Sequence, residues 1–266
     1  MNPLERARLE KALADYGFDL TPTLDGGWLT GRSTLHPVAV SLRQNTDASI
    51  TIRTHDAGLQ KALMGEGIEV VEGSNTQGWD FQCPDYQAFY RVLGRYAALA
   101  RSLPNRVAER FHAATGKLPA TTEAERLVVQ RIGQNLFREA LIDFWQGRCA
   151  VTGLDVVPLL RASHIKPWAS CASDEERLDV FNGLLLAPHL DALFDGGWIS
   201  FADDGRMLVS DLLLEAARSR LGLANWTGLA RVSKAHQPYL EHHRFSVFRR
   251  DGRSQPMIGS NVEQGR

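Results

Sequence analysis

The sequence predicts an α+β fold: an N-terminal antiparallel-sheet α+β unit, a helical connector, and a small strand–strand–helix unit toward the C-terminus. Three observations carry this reading. Short alternating apolar runs fill residues 18–53, a helical apolar period is sustained over 122–147, and two strand-like runs are followed by a short helical one before Gly196. The divisions that follow are 1–104, 105–147, 148–250 and a tail at 251–266 that lacks periodicity.

The elements are justified in chain order. LERARLEKALADY at 4–16 spaces Leu4, Leu9 and Leu13 at helical intervals, and Gly17 ends the pattern. The runs WLTGRS, HPVAVSLR and SITIRT, divided by DGG and NTDA, read as an antiparallel meander. Helical stretches are expected around 56–64 and 84–101, with GWDFQC between them as an edge strand, and SLPN at 102–105 closes this first unit. Residues 106–117 and 122–147 are helical in pattern. Thr122 with Glu125 three residues on is a capping-box signature, and Leu127, Ile132, Leu136, Phe137, Leu141 and Phe144 form the apolar stripe behind it. On the polar side stand Arg126, Arg131 and Arg138, which either meet phosphate or are solvated.

Composition narrows the class. The chain has 266 residues, 44% hydrophobic and 23% charged, with a formal net charge of −1, which excludes disordered, collagenous and disulfide-scaffold proteins. No run is long and apolar enough for a membrane span or a signal peptide, so no membrane partner and a cytoplasmic location are expected. The cysteines Cys83, Cys149 and Cys171 are widely spaced without a CxxC, so neither a disulfide framework nor a structural zinc site is expected. Charge is unevenly distributed: residues 149–210 carry nine acids against four bases, while the segments 101–148 and 231–266 are net basic. An acidic block that holds a divalent cation between basic segments that hold a polyanion would look like this, and so would an ordinary solvated surface.

The chemistry concentrates in the acidic block. LLRASHI reads as a strand ending at His164, NGLLLA as a second strand opening with Asn182, and Pro188 suits the first turn of a helix burying Leu190, Leu193 and Phe194. On that helix Asp191 and Asp195 are four residues apart and project from the side opposite the apolar stripe. Two carboxylates one turn apart repel unless a cation lies beside them, and hard oxygen donors without a thiolate favour Mg²⁺ or Mn²⁺. His164 is the side chain of this block whose ordinary pKa suits proton abstraction near pH 7. A base that activates water and a cation that neutralises phosphate charge suffice for phosphodiester hydrolysis.

The stretches CAVTG, SHIKPW, NGLLLAPHLDALFD and WISF resemble the HNH endonucleases of the ββα-metal superfamily, in particular the restriction-type branch, with QNLFREAL upstream and QPYLEHHR downstream extending the likeness to about residues 122–248. The resemblance implies that His164 is the general base, that Asn182 braces the loop and orients that base, and that Asp191 binds the metal, with Asp195 a second ligand position. It implies Mg²⁺ or Mn²⁺ as cofactor, double-stranded DNA as substrate, and products with 5′-phosphate and 3′-hydroxyl ends. Many relatives carry Asp or His immediately before the base; here that residue is Ser163, a poorer ligand. Without zinc-binding CxxC pairs, the unit must be held by packing of Trp168, Phe181, Leu184, Leu186, Phe194, Trp198 and Phe201.

Several roles stay open on the sequence. Asp195 is a ligand or part of the turn at Gly196-Gly197; Lys166 contacts the scissile phosphate or is solvated; His189 is a phosphate contact or a helix-entry residue. His236, His242 and His243, near Arg244, Arg249 and Arg250, form a DNA-facing edge or an ordinary polar surface. Trp28, Trp79, Phe81, Tyr86, Phe89 and Tyr90 line a pocket for a modified or flipped base, or pack the core. The expected function is a metal-dependent DNA endonuclease of restriction or phage defence, with residues 1–104 as a recognition domain and modification dependence an open feature. Double-strand cleavage from one site per chain implies a homodimer. The alternative is a DNA-binding or sensor protein whose HNH site is too degenerate to cut.

Overall fold

The computed structural model describes residues 1–34, 38–64, 68, 78–116, 118–119 and 122–250. The expected tail at 251–266 lies outside the described residues.

The first unit is a five-stranded sheet backed by helices. Helix α1 (Pro3–Asp15) begins with a capping box between Asn2 and Glu5, with Pro3 at its first turn. Strands β1 (Leu20–Asp25) and β2 (Trp28–Arg32) are joined through Gly26 and Gly27, both with positive φ (53° and 81°), the conformation a tight hairpin turn requires. They are followed by β3 (Val40–Gln44), β4 (Ile50–Thr54), α2 (Ala57–Met64) and β5 (Trp79–Cys83). The sheet order is β1-β2-β3-β4-β5, every pair antiparallel, so GWDFQC is the edge strand the sequence predicts. Leu29, Leu42, Ile52 and Phe81 stand opposite one another in register across four strands, each fully buried. This row is the centre of the first core, which α3 (Tyr86–Ser102) covers, its Tyr96 hydroxyl donating to the Ala39 carbonyl at 2.8 Å.

Leu103 alone separates α3 from α4 (Pro104–Thr115), because the fixed φ of proline suits a helix start and the chain turns in one residue. The connector helix α5 (Glu123–Phe144) starts at the Thr122 capping box and packs against both. Arg95, 5% exposed in α3, donates to the Phe144 carbonyl at 2.6 Å, and Arg101 pairs with Asp143 at 2.9 Å. Cationic groups thus sit at the negative end of the α5 dipole. Arg138 is neither solvated nor free for phosphate: it donates to the carbonyls of Leu160 and Val157 and fixes the entry to the next strand.

The C-terminal unit opens with a turn at Cys149, whose buried sulfur accepts the amides of Thr152 and Ala187. Then come β6 (Arg161–His164), the short α6 (Asp174–Arg177), β7 (Gly183–Leu186) and α7 (Pro188–Asp195). β6 and β7 are antiparallel, with His164 opposite Gly183 and Ser163 opposite Leu184. The strand read as LLRASHI is shorter than expected, since 157–159 form a 3₁₀ turn. A hairpin, β8 (Ile199–Phe201) with β9 (Met207–Val209), is followed by α8 (Glu215–Arg220) and α9 (Gln237–Ser246). Leu184, Leu186, Phe194 and Phe201 are fully buried, and Trp168, Phe181 and Trp198 pack against them. No helix of the described residues is long and apolar enough to cross a membrane.

Candidate active site

His164 ends β6, and three contacts set its ring. Its Nε2 lies 2.8 Å from the Arg177 carbonyl oxygen. A carbonyl only accepts, so Nε2 carries the proton and the lone pair of the neutral ring is on Nδ1. One face stacks on Phe137 of α5, centroids 4.0 Å apart and 15° from parallel, and Trp168 meets it edge-on at 5.5 Å. Gly183, opposite His164 in the ladder, makes room for this stack: a Cβ there would lie 2.6 Å from Phe137 Cζ and 2.7 Å from Leu141 Cδ2. Burial lowers the His164 pKa below the usual histidine value, partly offset by the Arg177 carbonyl, so the ring is neutral at pH 7.

Asn182 is fully buried just before β7. Its Oδ1 accepts the Lys166 amide at 2.7 Å, while Nδ2 donates to the Glu176 carbonyl at 3.1 Å and the Lys166 carbonyl at 3.3 Å, and lies 3.4 Å from Cys171 Sγ. The side chain therefore latches both ends of the 165–177 loop. It fixes the carbonyl adjacent to the one that holds His164, and so bears on the imidazole through the loop backbone.

Helix α7 presents Asp191 and Asp195 on one side while Leu190, Leu193 and Phe194 are buried on the other. Ser163, 2% exposed on β6, donates to Asp195 Oδ1 at 3.2 Å. Burial raises the pKa of both carboxyl groups. The negative charge of Asp191 raises Asp195 further, and the Ser163 hydroxyl lowers both; nearby Arg161 also lowers Asp191. Ser163, His164, Trp168 and Asp195 line one open cavity of about 330 Å³, and Asp191 stands one turn back on the same helix. Among the described residues no three His, Cys, Asp or Glu side chains are grouped as a metal cage. The cleft offers the Asp195 carboxylate and the Ser163 hydroxyl, with the Asp191 carboxylate one turn back on α7, all hard oxygen donors. That set fits a magnesium-like cation that keeps most of its water.

The remaining predicted residues fall as follows. Lys166 is not free: its Nζ lies 2.6 Å from Glu176 Oε1, so the amine braces the loop where a solvated or phosphate-bound lysine was expected. His189 is exposed in the first turn of α7. His236 and His243 are neither a DNA-facing edge nor a polar surface, being 1% exposed each. His243 accepts from Ser200 Oγ at 2.9 Å, donates to the Phe194 carbonyl at 3.1 Å and stacks on the Phe194 ring at 3.9 Å, supporting α7 from beneath. Burial pushes both histidines down to about 4. Arg244 is tied to Asp203 and Arg249 to the Gly196 carbonyl at the end of α7, so these cations too serve the fold. In the first unit Phe81 and Phe89 are core residues, whereas Trp28 is partly exposed with Arg53 and Arg43 over its ring, at 3.9 and 4.5 Å. Sequence reasoning missed Phe137 and Arg177 as neighbours of His164. Phe137 was legible as part of the α5 stripe, but the Arg177 contribution is a backbone carbonyl, which no side-chain pattern signals.

Comparison with known proteins adds three findings. None of the curated proteins compared matches the chain. A solved structure, a modification dependent TagI restriction endonuclease, is similar at 23% identity over 40% of this chain and 35% of that one, with a TM-score of 0.28. This chain thus spans about a third of the length of that protein. Residues 149–202 match the family model of the HNH endonucleases, and that segment holds β6, β7 and α7 with His164, Asn182, Asp191 and Asp195. Over this segment, the chain matches the HNH endonuclease family, as the motifs around His164 and Asn182 led one to expect.

Proposed function

We propose that the chain is a metal-dependent DNA endonuclease that hydrolyses phosphodiester bonds. The observation that carries the reading is the cavity lined by both His164, whose Nε2 is held by the Arg177 carbonyl, and Asp195, within a segment that matches the HNH endonucleases. Nδ1 of His164 takes a proton from water as the water attacks phosphorus, and the Arg177 carbonyl, by holding Nε2–H, favours the imidazolium that results. Asn182 keeps that carbonyl in place through the latched loop. Asp191 and Asp195, with Ser163 between strand and helix, would hold Mg²⁺ or Mn²⁺. When bound, the cation supplies charge neutralisation at the phosphate and the leaving 3′ oxygen. Products with 5′-phosphate and 3′-hydroxyl ends, DNA reading by residues 1–104, a cytoplasmic role in restriction or phage defence, and a dimer for double-strand cleavage belong to the same proposal.

A second reading is favoured by one observation: at the position where the resemblance to the HNH endonucleases implies an additional Asp or His ligand this chain has Ser163, leaving two carboxylates. On that reading the protein binds DNA without cutting it. Plasmid digestion with and without Mg²⁺, using His164→Ala as control and DNA from methylating and non-methylating hosts, separates the two. Metal-dependent cleavage lost in His164→Ala supports the enzyme. Cleavage indifferent to both metal and histidine overturns it, and DNA binding without cleavage supports the second reading.

A further inference from the structure

A second cavity, of about 590 Å³, lies between α2, the elbow at Leu103 and the segment that precedes α9, and shares no lining residue with the cavity at His164. Its walls are mainly apolar, with Ala62, Leu103, Phe181 and Val232 prominent among them, and its charged groups are unbalanced. Asp56 is the carboxylate of the lining and sits 3.7 Å from Arg106. Lys61 and Lys234 are exposed at the rim and make no ion pair among the described residues. A concave apolar site of this size with two cations unpaired among the described residues is complementary to an anion with an apolar body.

The adjoining recess supplies a second, independent observation. A pocket of about 20 Å³ shares Ala62, Phe181, Val232 and Ser233 with the larger cavity and is lined by His236. His236 is 1% exposed, its Nδ1 accepts the Ser233 amide at 3.1 Å, and its Nε2 has no hydrogen-bond partner. Since Nδ1 accepts, the proton is on Nε2, leaving a buried donor beside a space that admits one acceptor atom.

We propose that this cavity binds a small anion built on a flat apolar body, with its charge held by Lys61 and Lys234, its ring against Phe181 and an acceptor atom on the Nε2–H of His236. Phe181 immediately precedes Asn182, so an occupant presses on the residue that latches the 165–177 loop. The site thereby joins the first unit to the loop that holds His164.

The test uses the full chain and anilinonaphthalene sulfonate, an aromatic anion, as the probe. Fluorescence titration should show saturable one-to-one binding, weakened by about tenfold or more in the double variant Lys61→Ala/Lys234→Ala and for the uncharged phenylnaphthylamine. Binding should be lost in Ala62→Trp, which fills the cavity, with thermal melting as the check that each variant is folded. The surface double variant carries the test should Ala62→Trp fail to fold. At saturation, hydrogen exchange at the Lys166 amide should slow. Absence of saturable binding, or binding indifferent to the charge of the probe and to the folded variants, overturns the site. Unchanged exchange at Lys166 with the probe bound overturns the link to the loop.

Discussion

Phe137 of the connector helix and His164 of β6 lie face to face, ring centroids 4.0 Å apart and 15° from parallel, over the bare backbone of Gly183. The helix thus holds the imidazole at an angle that β6 alone would leave free. In Phe137→Leu the stack is lost and water reaches the ring. An aromatic contact of about 1 kcal/mol predicts a drop in kcat of about fivefold. The His164 pKa should also rise toward its ordinary value as burial is relieved. The pH profile of cleavage distinguishes this from simple destabilisation, which would not move the acid limb.

His164→Ala should lower cleavage by about 10²–10⁴-fold, the range for loss of a general base. In the wild-type protein, burial depresses the folded pKa of His164 below 6.5. The reactive neutral form therefore persists at mildly acidic pH, and cleavage should fall only as pH drops through that lowered value. An acid limb above pH 6.5 in kcat/KM would contradict this assignment.

Asn182→Ala removes the acceptor of the Lys166 amide and the donor to two loop carbonyls from a fully buried position. Unpaired buried groups cost about 1–3 kcal/mol each, so a loss of several kcal/mol in urea unfolding is expected. Asn182→Asp keeps Oδ1 but not the donors, and should fall between. Faster hydrogen exchange across 165–177 would mark the opened latch.

Asp191→Asn and Asp195→Asn should separate stability from activity. Burial raises both folded pKa values, and the charge of Asp191 raises that of Asp195 further, so ionisation at neutral pH opposes folding. Each amide variant should melt at or slightly above the wild-type temperature in metal-free buffer while losing the stabilisation that Mg²⁺ gives the wild type. Ser163→Asp adds a third carboxylate. It should melt lower without Mg²⁺ and gain more on its addition, as read by thermal shift across a magnesium titration.

His243 supplies a pH dependence of folding. Its folded pKa is about 4 against an ordinary 6.5, so between these values the unfolded chain binds a proton that the native state does not. The contribution of the neutral, doubly hydrogen-bonded ring is complete above pH 6.5 and is lost as pH falls toward 4. Relative to His243→Gln, the wild type should lose about 2–3 kcal/mol between pH 7 and 4.5 in urea unfolding. Equal losses in the two proteins would show that the ring titrates normally.

What the sequence by itself determined is the content of the elements that depend on near neighbours. The Thr122–Glu125 capping box starts α5, Pro188 starts α7, and the four-residue spacing of Asp191 and Asp195 puts both carboxylates on one side of that helix. Helix period and cap chemistry act over a turn or two, so they can be read along the chain. The alternating runs of the first unit likewise fix a sheet, because side-chain direction in a strand reverses at each residue. Only the tertiary structure decided the state of the polar groups. Lys166 meets Glu176, Arg138 meets two carbonyls before β6, and His236 and His243 are buried and uncharged. It alone set the ring plane and tautomer of His164, through Phe137 twenty-seven residues away and a carbonyl that carries no side-chain identity. Burial and hydrogen-bond partnership belong to pairs brought together by packing, and a local pattern names only one member of each pair.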